Sequence, residues 1–257
     1  MIAMMAVDRD PEGKLDKALQ VYDALKERFW GSQYLPVASM ILADAVKPEE
    51  YDEVAARTRR VYDLMKSEHP LLTSGEDSVF AAMLTLSRLT DEQVVSETES
   101  CYRLLKAEFF SGNAVQSLSH VLALSEGRAE EKCAATIELF QKLKERGYQY
   151  GTGYELATLG VLAMLPVDQK TVMTDMMEVD DFLSAQKGYG FFGLGRKQRL
   201  MHAGMLVTSD CISQSETMHT AAIGGTISLI AAQQAAMCAA IAASSAAAAS
   251  SASSGGN

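Results

Sequence analysis

Tyr22-Asp23-Ala24-Leu25-Lys26 returns as Tyr62-Asp63-Leu64-Met65-Lys66 and again as Tyr102-Arg103-Leu104-Leu105-Lys106, each copy forty residues after the last. Phe140-Gln141-Lys142-Leu143-Lys144 follows at an offset of 38, and Phe182 to Lys187 is a degraded fifth copy at 42. A period of this size means that one supersecondary unit is repeated, and each unit buries its apolar face only by stacking on its neighbours. Around each marker the apolar residues keep helical spacing: Leu15, Ala18, Leu19, Tyr22, Leu25 and Phe29 fall on one stripe. After each marker helix (A) comes a turn and then a more apolar segment (B), starting at Tyr34, Asp77, Asn113, Tyr154 and Arg196. No stretch of useful length alternates with period two. The expected fold is therefore all-α, an α-solenoid of about five helix-turn-helix repeats of roughly 40 residues.

Helix-start chemistry agrees with these borders. Pro48 with Glu49 and Glu50, Asp91 with Glu92, and Asp168 all suit the first turn of an A helix, where a missing proline N–H is harmless and carboxylates meet the positive dipole end. The stretch MIAMMAV stands where the B helix of a preceding repeat belongs, so the first repeat is expected to be truncated.

Beyond Glu216 there is no Asp, Glu, Lys or Arg. Ile223, Ile227, Ile230, Met237 and Ile241, with Gln234 in the remaining slot, make one stripe on an otherwise Ala-, Ser- and Gly-rich segment. A spanning helix needs about 20 predominantly apolar residues, usually with aromatic or basic anchors at its ends. The segment has the length and lacks the anchors, so membrane association is the less favoured reading. The expected organisation is a repeat domain over 1–214, a C-terminal Ala/Ser-rich helix over 215–249 that packs on the repeats or pairs with another copy, and a disordered tail over 250–257.

Charge and cysteine usage narrow the function classes. A formal charge of −10 and a pI near 4.9 argue against nucleic acid, which needs clustered Lys and Arg. Cys101, Cys133, Cys211 and Cys238 show no metal-ligand spacing and read as reduced thiols of a cytoplasmic protein. The N-terminus carries no secretory signal pattern.

Three stretches invite a chemical reading. In QKGYGFFGLGRKQR, Gly188, Gly190 and Gly193 spell G-x-G-x-x-G, a dinucleotide turn only after a strand and before a helix. The repeat places them between an A and a B helix, so the glycines read as a reversal, with Tyr189, Phe191 and Phe192 plugging the loop into the core, and no cofactor is expected. Arg196, Lys197 and Arg199 then open the next helix, where an anion would be welcome. In HPLLTSGEDS, the oxygens of Thr73, Ser74, Glu76 and Asp77 are too few and wrongly spaced for a calcium loop, and helix capping by Ser74 or Asp77 explains them. His120 falls in a B-helix column with Ser39, Ala82, Gly160 and Gly204. A histidine among small residues reads first as a hydrogen-bonded core group, sharing its helix with Asn113 and Gln116, and second as a ligand contact.

The segments VYDLMKSEHPLLTSGEDS, SGNAVQSLSHVLAL, VDDFLSAQKGYGFF and IAAQQAAMCAAIAASSAAAASS, in this order, resemble a bacterial family catalogued as domain-of-unknown-function family 4003, over nearly the whole chain. Members of that family carry more sequence ahead of the point where this chain starts, which matches the truncated first repeat. The resemblance implies no activity, cofactor or catalytic residue. The leading functional expectation is a non-enzymatic scaffold that binds a protein partner, with self-association through the C-terminal helix a further expectation. The alternative is an enzyme or a small-molecule or anion-binding protein, with contacts at His120, Asn113, Gln116, Arg196, Lys197 and Arg199.

Overall fold

The computed structural model describes residues 10–189 and 194–217. Among them the chain is all-helical, with ten α-helices: α1 Pro11–Lys26, α2 Leu35–Ala45, α3 Tyr51–Glu68, α4 Asp77–Thr85, α5 Asp91–Lys106, α6 Gly112–Ala123, α7 Ala129–Glu145, α8 Leu156–Ala163, α9 Gln169–Ser184 and α10 Arg196–Thr217. The odd-numbered helices carry the Tyr/Phe markers and the even-numbered ones are the apolar segments that follow them. The chain divides into two compact units, Met1–Ser96 and Glu97–Asn257, with the division inside α5.

In the first unit, α1 packs on α2 and α3 on α4, while α1 lies against α3 and α2 against α4. In the second, α6, α8 and α10 follow one another, and α7 and α9 lie beside α8 and α10 respectively. Within each unit, like helices therefore stack on like. The even-numbered helices are walled in: every residue from Asp77 to Thr85 of α4 is buried, as is Leu156 to Leu162 of α8. A fully enclosed Leu or Phe here is worth about 1.5–3 kcal/mol over its exposed state.

The odd-numbered helices keep one buried stripe. In α1 it runs through Ala18, Val21 and Leu25, and Leu19 is half exposed. This corrects the expected stripe at one position, because Val21 faces the interior and Leu19 is left outside. The small-residue column holds in the packing: Ser39, Ala82, Gly160 and Gly204 are all buried. A Cβ on Gly160 would overlap Leu118 Cδ1, and one on Gly204 would stand 2.7 Å from Leu162 Cδ1.

Caps follow local chemistry. Asp168 accepts from the amides of Lys170 (2.9 Å) and Thr171 (3.2 Å) as expected of an N-cap. At α5 the capping box is Thr90 with Gln93, each side chain taking the other's amide. Asp91 and Glu92 stand in the first turn of α5 as expected, and Asp91 is held by Arg57 (2.8 Å) and Arg60 (3.1 Å). Met1 to Arg9, Phe191, Phe192 and the expected C-terminal helix and tail beyond Thr217 lie outside the described residues. Among the described residues no helix is long and apolar enough to cross a membrane.

Candidate functional site

Gly188 sits between α9 and α10 with φ +98°, a conformation open to glycine at no steric cost. Gly188 O accepts from Leu194 N at 2.8 Å, and Gly190 and Gly193 lie outside the described residues. A helix, not a strand, precedes it, so the context of a dinucleotide turn is missing. Tyr189 reaches inward and hydrogen-bonds His202 Nδ1 (2.8 Å), its ring edge-on to the imidazole. Burial pushes the His202 pKa down and so favours the neutral imidazole.

The first turn of α10 lines a pocket of about 450 Å³, whose walls are Gln149, Tyr154, Glu155, Gly195, Arg196, Lys197 and Gln198. The loop from α7 supplies Gln149 and Tyr154, and Glu155 stands at the start of α8. Gln198 Nε2 donates to Tyr154 Oη at 2.7 Å and so ties the two walls together. Arg196 donates to Gly147 O at 2.8 Å and covers the Tyr148 ring, 5.6 Å from its centroid. Lys197 is exposed. Arg199 does not face this pocket's lining: its guanidinium forks onto Asp180 at 2.7 and 3.0 Å. That hydrogen-bonded carboxylate raises the Arg199 pKa, and the pair is mostly enclosed, with Asp180 buried. Of the three cations named from sequence, the pocket brings together Arg196 and Lys197.

Asn113, Gln116 and His120 share α6, but Asn113 is exposed while Gln116 and His120 are buried. Ser119 Oγ donates to Gln116 O at 2.8 Å. None of these residues lines the α10 pocket. In HPLLTSGEDS, Asp77 accepts from Ser74 N at 2.7 Å and Ser78 Oγ donates to Gly75 O at 2.7 Å. The carboxylate thus folds the loop back onto the start of α4, and the Asp77 pKa is pushed up to about 7, chiefly by burial against the pull of the Ser74 amide.

Sequence reasoning passed over two features. Glu155 is one; nothing in its local sequence distinguishes it from a surface acid near a helix start. The other was legible through the repeat itself. Trp30 and Phe110 stand eight residues after Tyr22 and Tyr102, and Leu71 nine after Tyr62, each in the turn between an odd helix and the next even one. They are 99%, 95% and 98% exposed. Their neighbours do the opposite: Phe29 packs edge-on against Tyr62 at 5.3 Å and Phe109 against Phe140 at 5.1 Å.

A family profile described as Protein of unknown function (DUF4003) matches residues 1–235. The comparisons with curated proteins and with solved structures return no match.

Proposed function

The chain belongs to the family described as Protein of unknown function (DUF4003), and we propose that it is a non-enzymatic helical-repeat protein that docks a protein partner through the turns between its paired helices. The observation that supports this reading is the recurrence of Trp30, Leu71 and Phe110, nearly fully exposed, in three successive turns. Single exposed apolar residues are ordinary on a soluble surface; here the same turn bears one in three consecutive repeats. Nor does packing require them, because Phe29 and Phe109 already anchor two of these turns. Trp30 and Leu71 belong to the first unit and Phe110 to the second. Aromatic anchors of this kind carry much of the energy of protein interfaces.

The partner in this reading offers apolar pockets, with a basic rim that complements a chain of formal charge −10. The cytoplasm is its proposed location. The competing reading, an enzyme or anion-binding protein around His120 and Arg196, has weaker support, because His120 and Gln116 are buried in α6 and Arg199 is spent on Asp180.

Site-specific photocrosslinking in the native cell tests the proposal, with the reactive residue at 30, 71 or 110 and a control at Asp63 on the outer face of α3. One protein crosslinked from the turn positions and not from the control is expected. With both components purified, the triple Trp30→Ala, Leu71→Ala, Phe110→Ala variant should bind at least about tenfold more weakly. Equal crosslinking from the control, or unchanged affinity of the triple variant, would refute the turn-docking reading.

A further inference from the structure

Cys101 on α5 and Cys133 on α7 meet in the interior of the second unit, 0% and 2% exposed, and both are free thiols. In its thiol form Cys133 donates to Cys101 O at 3.8 Å. The two side chains also hydrogen-bond each other, so that an ionised Cys133 accepts from the Cys101 thiol. The repeat shows that packing does not call for sulfur at either place. Cys101 directly precedes its marker, where Val21 and Val61 precede theirs, and Cys133 lies seven residues before its own, where Ala55 and Val95 stand. Ala or Val fills these places in the earlier helices, whereas cysteine stands on both sides of this one contact.

The surroundings divide the two thiols into different roles. The hydrogen bond from Cys101 pulls the Cys133 pKa down against burial, and the neighbouring Lys132 charge pulls the same way. The same hydrogen bond, and then burial, pushes the Cys101 pKa up. Lys132 is itself enclosed, 3% exposed, and is fixed by Glu97 at 2.6 Å and by Ser125 O at 2.9 Å. Cys133 is thus placed to ionise first and Cys101 to keep its proton until a second step, which are the parts of an attacking and a resolving thiol.

We propose that Cys101 and Cys133 are a peroxide-responsive dithiol that closes to a disulfide and staples α5 to α7. The Cys133 thiolate attacks one oxygen of hydrogen peroxide, and the O–O bond breaks. Hydroxide leaves, takes up the proton that Cys133 gave up, and departs as water, while the sulfur is oxidised to a sulfenic acid. The Cys101 sulfur then attacks the Cys133 sulfur, the S–O bond breaks, and hydroxide leaves as a second water with the Cys101 proton. Two thiols lose two electrons and two protons, and one peroxide becomes two waters. Burial selects this outcome. A water-sized oxidant enters when the helices open briefly, whereas a thiol of glutathione's size is shut out, which leaves Cys101 as the partner in reach of the sulfenic acid. The staple is independent of the turn-docking reading, and either can fail without the other.

The test treats the folded full chain with hydrogen peroxide, blocks remaining thiols and maps the cysteines by mass spectrometry after trypsin. One linked species is expected, joining peptide 89–103 to peptide 133–142 and lighter than their sum by two hydrogen atoms. Because the bond closes a loop between residues 32 apart in sequence, the oxidised protein should melt at least about 4 °C higher. A phosphine reductant should reverse both changes. Cys133→Ala, with circular dichroism unchanged, should slow the loss of the Cys101 thiol to peroxide by about tenfold or more. Should that variant fail to fold, the linked peptide and the reversible Tm shift of the wild type decide. Both thiols left free, either one carried to sulfinic acid with no link, or a link from either to Cys211 or Cys238 instead would overturn the proposal.

Discussion

Asp77 is 3% exposed, and its pKa is pushed up to about 7 from an ordinary 3.8. Its folded pKa lies above the unfolded one, so between those values the folded chain holds more protons than the unfolded chain. The stability it contributes is complete below pH about 3.8 and is lost as pH rises through about 7, at no more than about 1.4 kcal/mol per pH unit. Asp77→Asn keeps an acceptor for Ser74 N and removes the titration. Urea unfolding over that window should show the wild type losing stability relative to Asp77→Asn as pH rises; parallel curves would contradict it. The Asp180–Arg199 pair behaves differently, because its charges compensate each other out of water. Asp180→Ala leaves an enclosed guanidinium alone and should cost about 3–5 kcal/mol, while Asp180→Leu with Arg199→Met should recover much of that loss. A double variant no more stable than Asp180→Ala, measured by denaturant midpoint, would count against this account.

At the scale of the element, the even-numbered helices are set by how closely they can approach. Ala is the better helix former by about 1 kcal/mol over Gly, so Gly160→Ala would stabilise α8 in isolation. In the packed unit its Cβ overlaps Leu118 Cδ1, and Leu118 is wholly buried. The overpacking term, about 1–3 kcal/mol, should win and lower Tm. Gly195→Ala makes the contrast: open space lies where its Cβ would stand, so Tm should hold or rise. If both variants behave alike, the close approach of α6 and α8 does not govern the site. Exposure of the turns has its own consequence. Trp30 is the chain's single tryptophan and is 99% exposed, so acrylamide should quench it as well in the folded protein as in urea. Trp30→Ala should leave stability within about 0.5 kcal/mol. Protection from the quencher in the free protein would mean that the turn is covered.

For the whole molecule, the full chain should give an all-α circular dichroism spectrum, and a clear strand component would contradict the repeat reading. The sequence by itself determined the paired helices, because a forty-residue period of amphipathic and apolar segments is encoded in local spacing, and each apolar face has to be buried against a copy of the same unit. The markers at Tyr22, Tyr62, Tyr102, Phe140 and Phe182 fall in α1, α3, α5, α7 and α9, and the segments named after them are α2, α4, α6, α8 and α10. What the period left open was decided by tertiary structure. Whether Leu19 or Val21 points inward depends on the rotation of α1 against α2 and α3, a few tens of degrees that spacing alone does not specify. Arg199 pairs with Asp180 across two helices, while Lys197, two residues earlier, faces the pocket. Glu155 becomes a buried carboxylate only because the loop at Gly151 and Gly153 closes over it. Apolar burial follows from a pattern along one helix, whereas the partner of a charged side chain depends on where a second helix places its atoms, and that is fixed only once the helices have packed.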